Sequence, residues 1–130
     1  MTGIPNSVRR GVYALALATI ATAVYVWSDP EMWRIDGDMA LWMWGFFLTT
    51  NALFVCLLLL TWRRRNWARW ATVVWCVVGW LALIASYFYL DTMKTFEGAI
   101  ELALIAVEVW GCQQLVTRSA SLWFRTPVEA

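Results

Sequence analysis

Glu97, Glu101 and Glu108 are the residues with most chemistry to offer, because they interrupt an otherwise apolar stretch near the end of the chain. Separations of four and seven residues put all three in one narrow stripe of a helix, which turns about 100° per residue. Leu104, Gly111 and Leu115 complete that stripe. At a rise of about 1.5 Å per residue, Glu97 falls near an outer interface, Glu101 a turn deeper and Glu108 close to mid-membrane. Glu97 is near water and needs no special account. An ionised carboxylate at the bilayer centre costs on the order of 2.5–3.5 kcal/mol or more, so Glu108 needs relief. Protonation, a hydrogen bond from a facing Thr or Asn, or a wet cavity would each supply it. Two readings follow. In the first, a neutral Glu108 ties helices together; in the second, Glu101 and Glu108 bind a proton or cation. The first is favoured, because no charge of opposite sign accompanies Glu108 within the apolar segments.

Other chemistry is poorly supported. There is no Ser/His/Asp set, no H-E-x-x-H, no glycine-rich phosphate loop and no paired Asp motif. The chain has no histidine, and Cys56, Cys76 and Cys112 make no C-x-x-C. All three cysteines fall in apolar runs, where a free Cys behaves as a small hydrophobe, and no spacing selects a redox pair. The expectation is therefore a non-enzymatic protein with no metal and no cofactor.

The elements that must position these carboxylates are membrane spans. Of 130 residues, 62% are hydrophobic and 15% charged, against about 25% charged in soluble domains. The excess lies in four runs, about 11–27, 40–62, 70–90 and 96–117, and about 20 apolar residues suffice to span the hydrocarbon core. This predicts an all-α protein, one polytopic domain of four transmembrane helices in a compact bundle. Residues 1–8 read as a polar tail. Arg9 and Arg10 ahead of an apolar run, with Ala21-Thr22-Ala23, also fit a signal peptide, but the run continues through Trp27 and an uncleaved span is preferred. Residues 28–39 read as a solvated acidic loop rather than a surface-lying turn around Met32, Trp33 and Ile35. Tyr87, Phe88 and Tyr89 read as an aromatic belt, and 91–95 as a short turn between antiparallel neighbours. Leu122, Trp123 and Phe124 read as an interfacial segment dipping into lipid, ended by Pro127.

Small residues at helical spacing allow close helix approach in lipid. Such stripes include Ala14 and Ala18 in the first run and Gly45, Thr49, Ala52 and Cys56 in the second. Thr72, Cys76, Gly79, Leu83 and Ser86 make another in the third, and Gly111 lies in the fourth. The second and fourth runs point the same way, so Thr49, Thr50 and Asn51 share a depth with Glu108 and are its expected partners.

The densest charge is in Trp62-Arg63-Arg64-Arg65-Asn66-Trp67-Ala68-Arg69, followed by Trp70. Short loops rich in arginine stay cytoplasmic. Arg9, Arg10, Arg63, Arg64, Arg65, Arg69, Arg118 and Arg125 fall on one side, against Arg34 and Lys94 on the other. This predicts cytoplasmic termini in a bacterial inner membrane. Arginines beside Trp62, Trp67 and Trp70 also suit anionic lipid headgroups; a nucleic-acid role is weak, and a plain topological anchor is the stronger reading.

The turn Arg63-Arg-Arg-Asn-Trp-Ala-Arg69, with the closing Ser121-Leu-Trp-Phe-Arg125, resembles small uncharacterised four-span bacterial inner-membrane proteins with a basic R-x-N-W-A-R loop between spans two and three. The resemblance covers the whole layout and implies four helices and cytoplasmic termini, but no activity. In size the chain is also similar to small multidrug transporters, whose essential Glu lies in the first helix; here that helix has no acid. The expected role is a membrane protein that self-associates or binds another membrane protein. A proton- or cation-coupled carrier or channel using Glu101 and Glu108 is the alternative. Immunity against a membrane-targeting toxin is a third reading that no residue selects.

Overall fold

The computed structural model describes residues 3–28, 37–90 and 96–125. The described residues form five helices and no strand: α1 (Asn6–Ser28), α2 (Asp38–Trp62), α3 (Asn66–Leu90), α4 (Phe96–Val116) and α5 (Arg118–Arg125). The first four are long and apolar enough to cross a membrane, as their composition predicts. The acidic loop at 29–36, the turn at 91–95 and Pro127 lie outside the described residues. So do the side chains of Ser86, Tyr87, Phe88, Tyr89 and Glu97.

Consecutive helices pack against one another, and α4 returns to pack against α1, which closes a four-membered ring. The α1–α4 side is the most extensive. It is built on glycine: a Cβ on Gly11 would lie 2.9 Å from the Gly111 carbonyl oxygen, and one on Gly111 would lie 2.9 Å from Leu15 Cγ. Missing side chains let two backbones approach and gain dispersion contacts, the main attraction left when lipid is as apolar as the helices. Val8, Leu15, Ala14, Ala18 and Leu115 are buried along this seam. Ser7 and Ser119 share a hydrogen bond at 2.9 Å where α1 meets α5. The α1–α2 side is held by ring contacts at both ends, Tyr13–Trp62 at 5.7 Å and Trp27–Trp44 at 5.4 Å between centroids.

The outer surface is apolar, unlike that of a soluble protein. Trp42 is 80% exposed and Phe46 74%, and Leu17, Val24, Leu41 and Leu81 also face outward. Thr61 and Thr72 are fully buried and lie 3.4 Å apart between α2 and α3. Thr19, Thr50 and Thr72 hydroxyls each donate to the carbonyl four residues back, so they reach an acceptor without water.

Several expectations are corrected. The N-terminal tail is shorter than eight residues: the helix begins at Asn6, and Val8 is fully buried in the core. Trp123 and Phe124 do not dip into lipid. They are buried against the other helices, and only Leu122 of that trio is exposed. Gly45, Ala52 and Cys56 are exposed, because α2 turns that face outward; a Cβ on Gly45 meets no atom within 4 Å. Gly79 likewise has open space beside it. Ala14, Ala18 and Gly111 do pack as expected, and Gly11 joins them.

These differences predict opposite outcomes for one chemical change. Gly11→Ala should cost about 1–3 kcal/mol of stability in detergent unfolding by overpacking the seam. Gly45→Ala should be neutral or slightly stabilising, because Ala is the better helix former. Equal effects at both positions would contradict the packing.

Candidate functional site

All four long helices line a partly open cavity of about 360 Å³, within the size range of small-molecule sites. Thr19, Thr22 and Tyr25 line it from α1; Phe47, Thr50, Asn51 and Phe54 from α2; Trp75, Cys76, Gly79 and Trp80 from α3; and Glu101, Leu104, Ile105 and Glu108 from α4. The Gly79 gap is therefore part of the cavity wall. The carboxylate stripe read from the sequence does converge on one space, with Glu101 and Glu108 in it.

The expected partners of Glu108 are wrong in detail. Helices α2 and α4 sit diagonally across the ring and share no extensive interface, so Thr50 and Asn51 face Glu108 across the cavity. Thr50 Oγ1 donates to the Phe46 carbonyl at 2.6 Å and Asn51 Nδ2 to the Phe47 carbonyl at 2.8 Å. Thr49 points outward, beside Leu41, Trp42, Gly45 and Phe46. The partner is Trp80, whose Nε1–H donates to Glu108 Oε2 at 2.7 Å. That is a short bond, in the range of charge-assisted pairs. An indole N–H needs an acceptor when buried, and a carboxyl in a span needs a donor, so each relieves the other. The sequence did carry a signal: Trp80 and Glu108 both fall near the middle of adjacent antiparallel runs.

The arginine turn divides into two pairs. Arg63 and Arg65 are exposed, as are Trp67 and Trp70, while Trp62 packs against the core. Arg64 and Arg69 instead grip α5. Arg64 Nε donates to the Trp123 carbonyl at 2.7 Å, and its guanidinium lies 5.0 Å from the Trp123 ring centroid. Arg69 is 3% exposed, donates from Nη1 to Ser121 Oγ at 3.1 Å, and lies 4.9 Å from the ring centroids of both Trp70 and Phe124. Aromatic faces stabilise these cations, and among the described residues no carboxylate neutralises Arg69.

The backbone is bent to permit this grip. Arg65 N–H bonds to the Leu60 carbonyl and Arg64 N–H to that of Thr61, each at 3.0 Å, the hydrogen-bond pattern of a Schellman turn. Its left-handed position, usually glycine, is Arg64 at φ 67°. A left-handed non-glycine residue costs roughly 1–2 kcal/mol, which the side chain's bonds to α5 offset. Thr117 starts α5 as its N-cap, Oγ1 accepting from Ala120 N–H at 3.4 Å. Arg9 and Arg10 of α1, Arg64 of the turn after α2, Arg69 of α3 and Arg118 at the start of α5 thereby meet at one end of the bundle.

Comparison with family models, with curated proteins and with solved structures finds no match to this chain.

The split among the arginines is measurable. In unfolding experiments Arg63→Ala and Arg65→Ala should stay within about 0.5 kcal/mol of the parent. Arg64→Ala should be clearly destabilising, and Arg64→Gly less so by about 1 kcal/mol, because glycine relieves the left-handed strain while losing the same side chain.

Proposed function

We propose that this chain is a small cation carrier or channel of a bacterial cytoplasmic membrane, with Glu108 and Glu101 as its binding carboxylates. The observation that carries the reading is that both acids line one partly open cavity shared with aromatic and hydroxyl side chains. A carboxylate buried in an apolar span binds either a proton or a cation, because either removes a charge that is costly there. Competition between the two for Glu108 couples their movements. Phe47, Trp75 and Tyr25 add π faces suited to a cation that has shed its water. Transport of this kind needs no reactive triad and no cofactor. The excess of arginine at the end bearing both termini supports a cytoplasmic location for that end, and the resemblance to four-span bacterial inner-membrane proteins agrees with it.

A second reading rests on a separate observation. Gly45, Thr49, Ala52 and Cys56 face outward along α2, and Gly45 and Thr49 border a shallow groove with Leu41, Trp42 and Phe46. A second copy of this chain, or another membrane protein, fits that face by small-residue packing. Cys56 lies on it, so a dimer through α2 gives a Cys56-dependent crosslink in native membranes.

Proteoliposomes distinguish the carrier from an inert bundle. An imposed gradient of Na+, K+ or ethidium should drive a change in internal pH with the parent protein. Glu108→Gln should abolish that change and Glu101→Gln should reduce it severalfold, while both variants elute as folded protein. Flux unchanged by Glu108→Gln would sink the proposal.

A further inference from the structure

Helices α3 and α4 run antiparallel, and Trp80 facing Glu108 is one layer of their contact. One helical turn towards the arginine end the next layer is Cys76 and Cys112, both buried in the same apolar cluster. Both are unoxidised, and they are 5% and 6% exposed. Cys56 is exposed on α2. The two inner thiols lie 36 residues apart in the chain, so no local motif announces them.

We propose that Cys76 and Cys112 are a redox-active dithiol, oxidised to an intramolecular disulfide by a lipophilic quinone that enters the central cavity. Two S–H bonds break and one S–S bond forms. The two electrons and two protons pass to the quinone, whose carbonyl oxygens become hydroxyls, and the hydroquinone leaves. Three observations favour this chemistry. The two cysteines occupy the layer next to the Trp80–Glu108 bond on adjacent helices, within one buried cluster, so little chain movement is needed. Cys76 lines the cavity whereas Cys112 does not, which assigns Cys76 to meet the oxidant and Cys112 to displace it. Phe47, Phe54, Trp75 and Trp80 bound that cavity with flat apolar faces that stack a neutral ring.

The surroundings select the class of oxidant. The pair sits in the apolar core with Phe54, Leu58 and Leu115, where charged aqueous disulfides are costly to bring. A neutral dithiol becoming a neutral disulfide leaves no net charge in that medium. Attack still requires a transient thiolate, and Glu108, one turn away, is the nearby carboxylate able to take its proton. The bond would staple α3 to α4 next to the candidate cation site. The inference stands on the thiol pair and does not need the cation reading to hold.

The test counts thiols in the full-length protein in phospholipid nanodiscs. Fully reduced, all three cysteines react with a maleimide after denaturation. After exposure to a short-chain ubiquinone, two should be lost, with a mass decrease of two hydrogens and a Cys76–Cys112 crosslinked peptide. One hydroquinone should form per chain. Cys56→Ser should leave the reaction intact, and either Cys76→Ser or Cys112→Ser should abolish it. Three thiols remaining, or a disulfide mapping to Cys56, would overturn the proposal. Oxidation of the pair by diamide with the quinone inert would overturn the assigned oxidant.

Discussion

The structure depends on the contact between Gly11 and Gly111. In a bilayer, burying apolar surface between helices gains little, because the lipid chains they leave are equally apolar. What holds helices together is close packing, and here two glycines remove the atoms that would keep α1 and α4 apart. This contact joins the first long helix to the last and converts a linear run of hairpins into a ring. Only a closed ring has an inside, and the cavity, the carboxylates and the dithiol all belong to that inside.

The distribution of side chains follows from the same constraint. Large apolar groups face outward, while Thr61 and Thr72 are buried and Thr19, Thr22 and Thr50 line the cavity, an arrangement that would aggregate in water and is stable in lipid. Each inward threonine that back-bonds to its own helix is neutralised as a polar liability. Glu108 cannot do this, and it takes its bond from Trp80 on the next helix instead. That leaves Thr50 and Asn51 as cavity walls rather than partners. A polar wall beside a carboxylate in an apolar span is what separates a site from a packing defect.

Much of this was legible in the residues. Hydropathy and length suffice for four helices, since backbone groups in lipid have few other ways to be satisfied. The glutamate stripe follows from helical periodicity alone. Three things were not legible, for different reasons. Gly11 stands at the start of the first apolar run and looks like a boundary, whereas its role is seen only when Gly111 lies opposite. Trp80 is one of 11 tryptophans, most of which suit an interface, and depth alone singles it out. Outward and inward small-residue stripes are indistinguishable by spacing, so Gly45 and Ala52 looked like Ala14 and Ala18. The arginine turn was half legible: charge identifies it as an anchor, but the grip of Arg64 and Arg69 on α5 depends on where Trp123 and Phe124 fold back to.

Closure of the ring can be measured directly. Ser7 and Ser119 hydroxyls lie 2.9 Å apart across the α1–α5 corner. In a background without the native cysteines, the double variant Ser7→Cys, Ser119→Cys should form an intramolecular disulfide on mild oxidation in intact membranes, migrating as a monomer. Absence of that crosslink, or crosslinks only between separate chains, would contradict the ring and everything placed inside it.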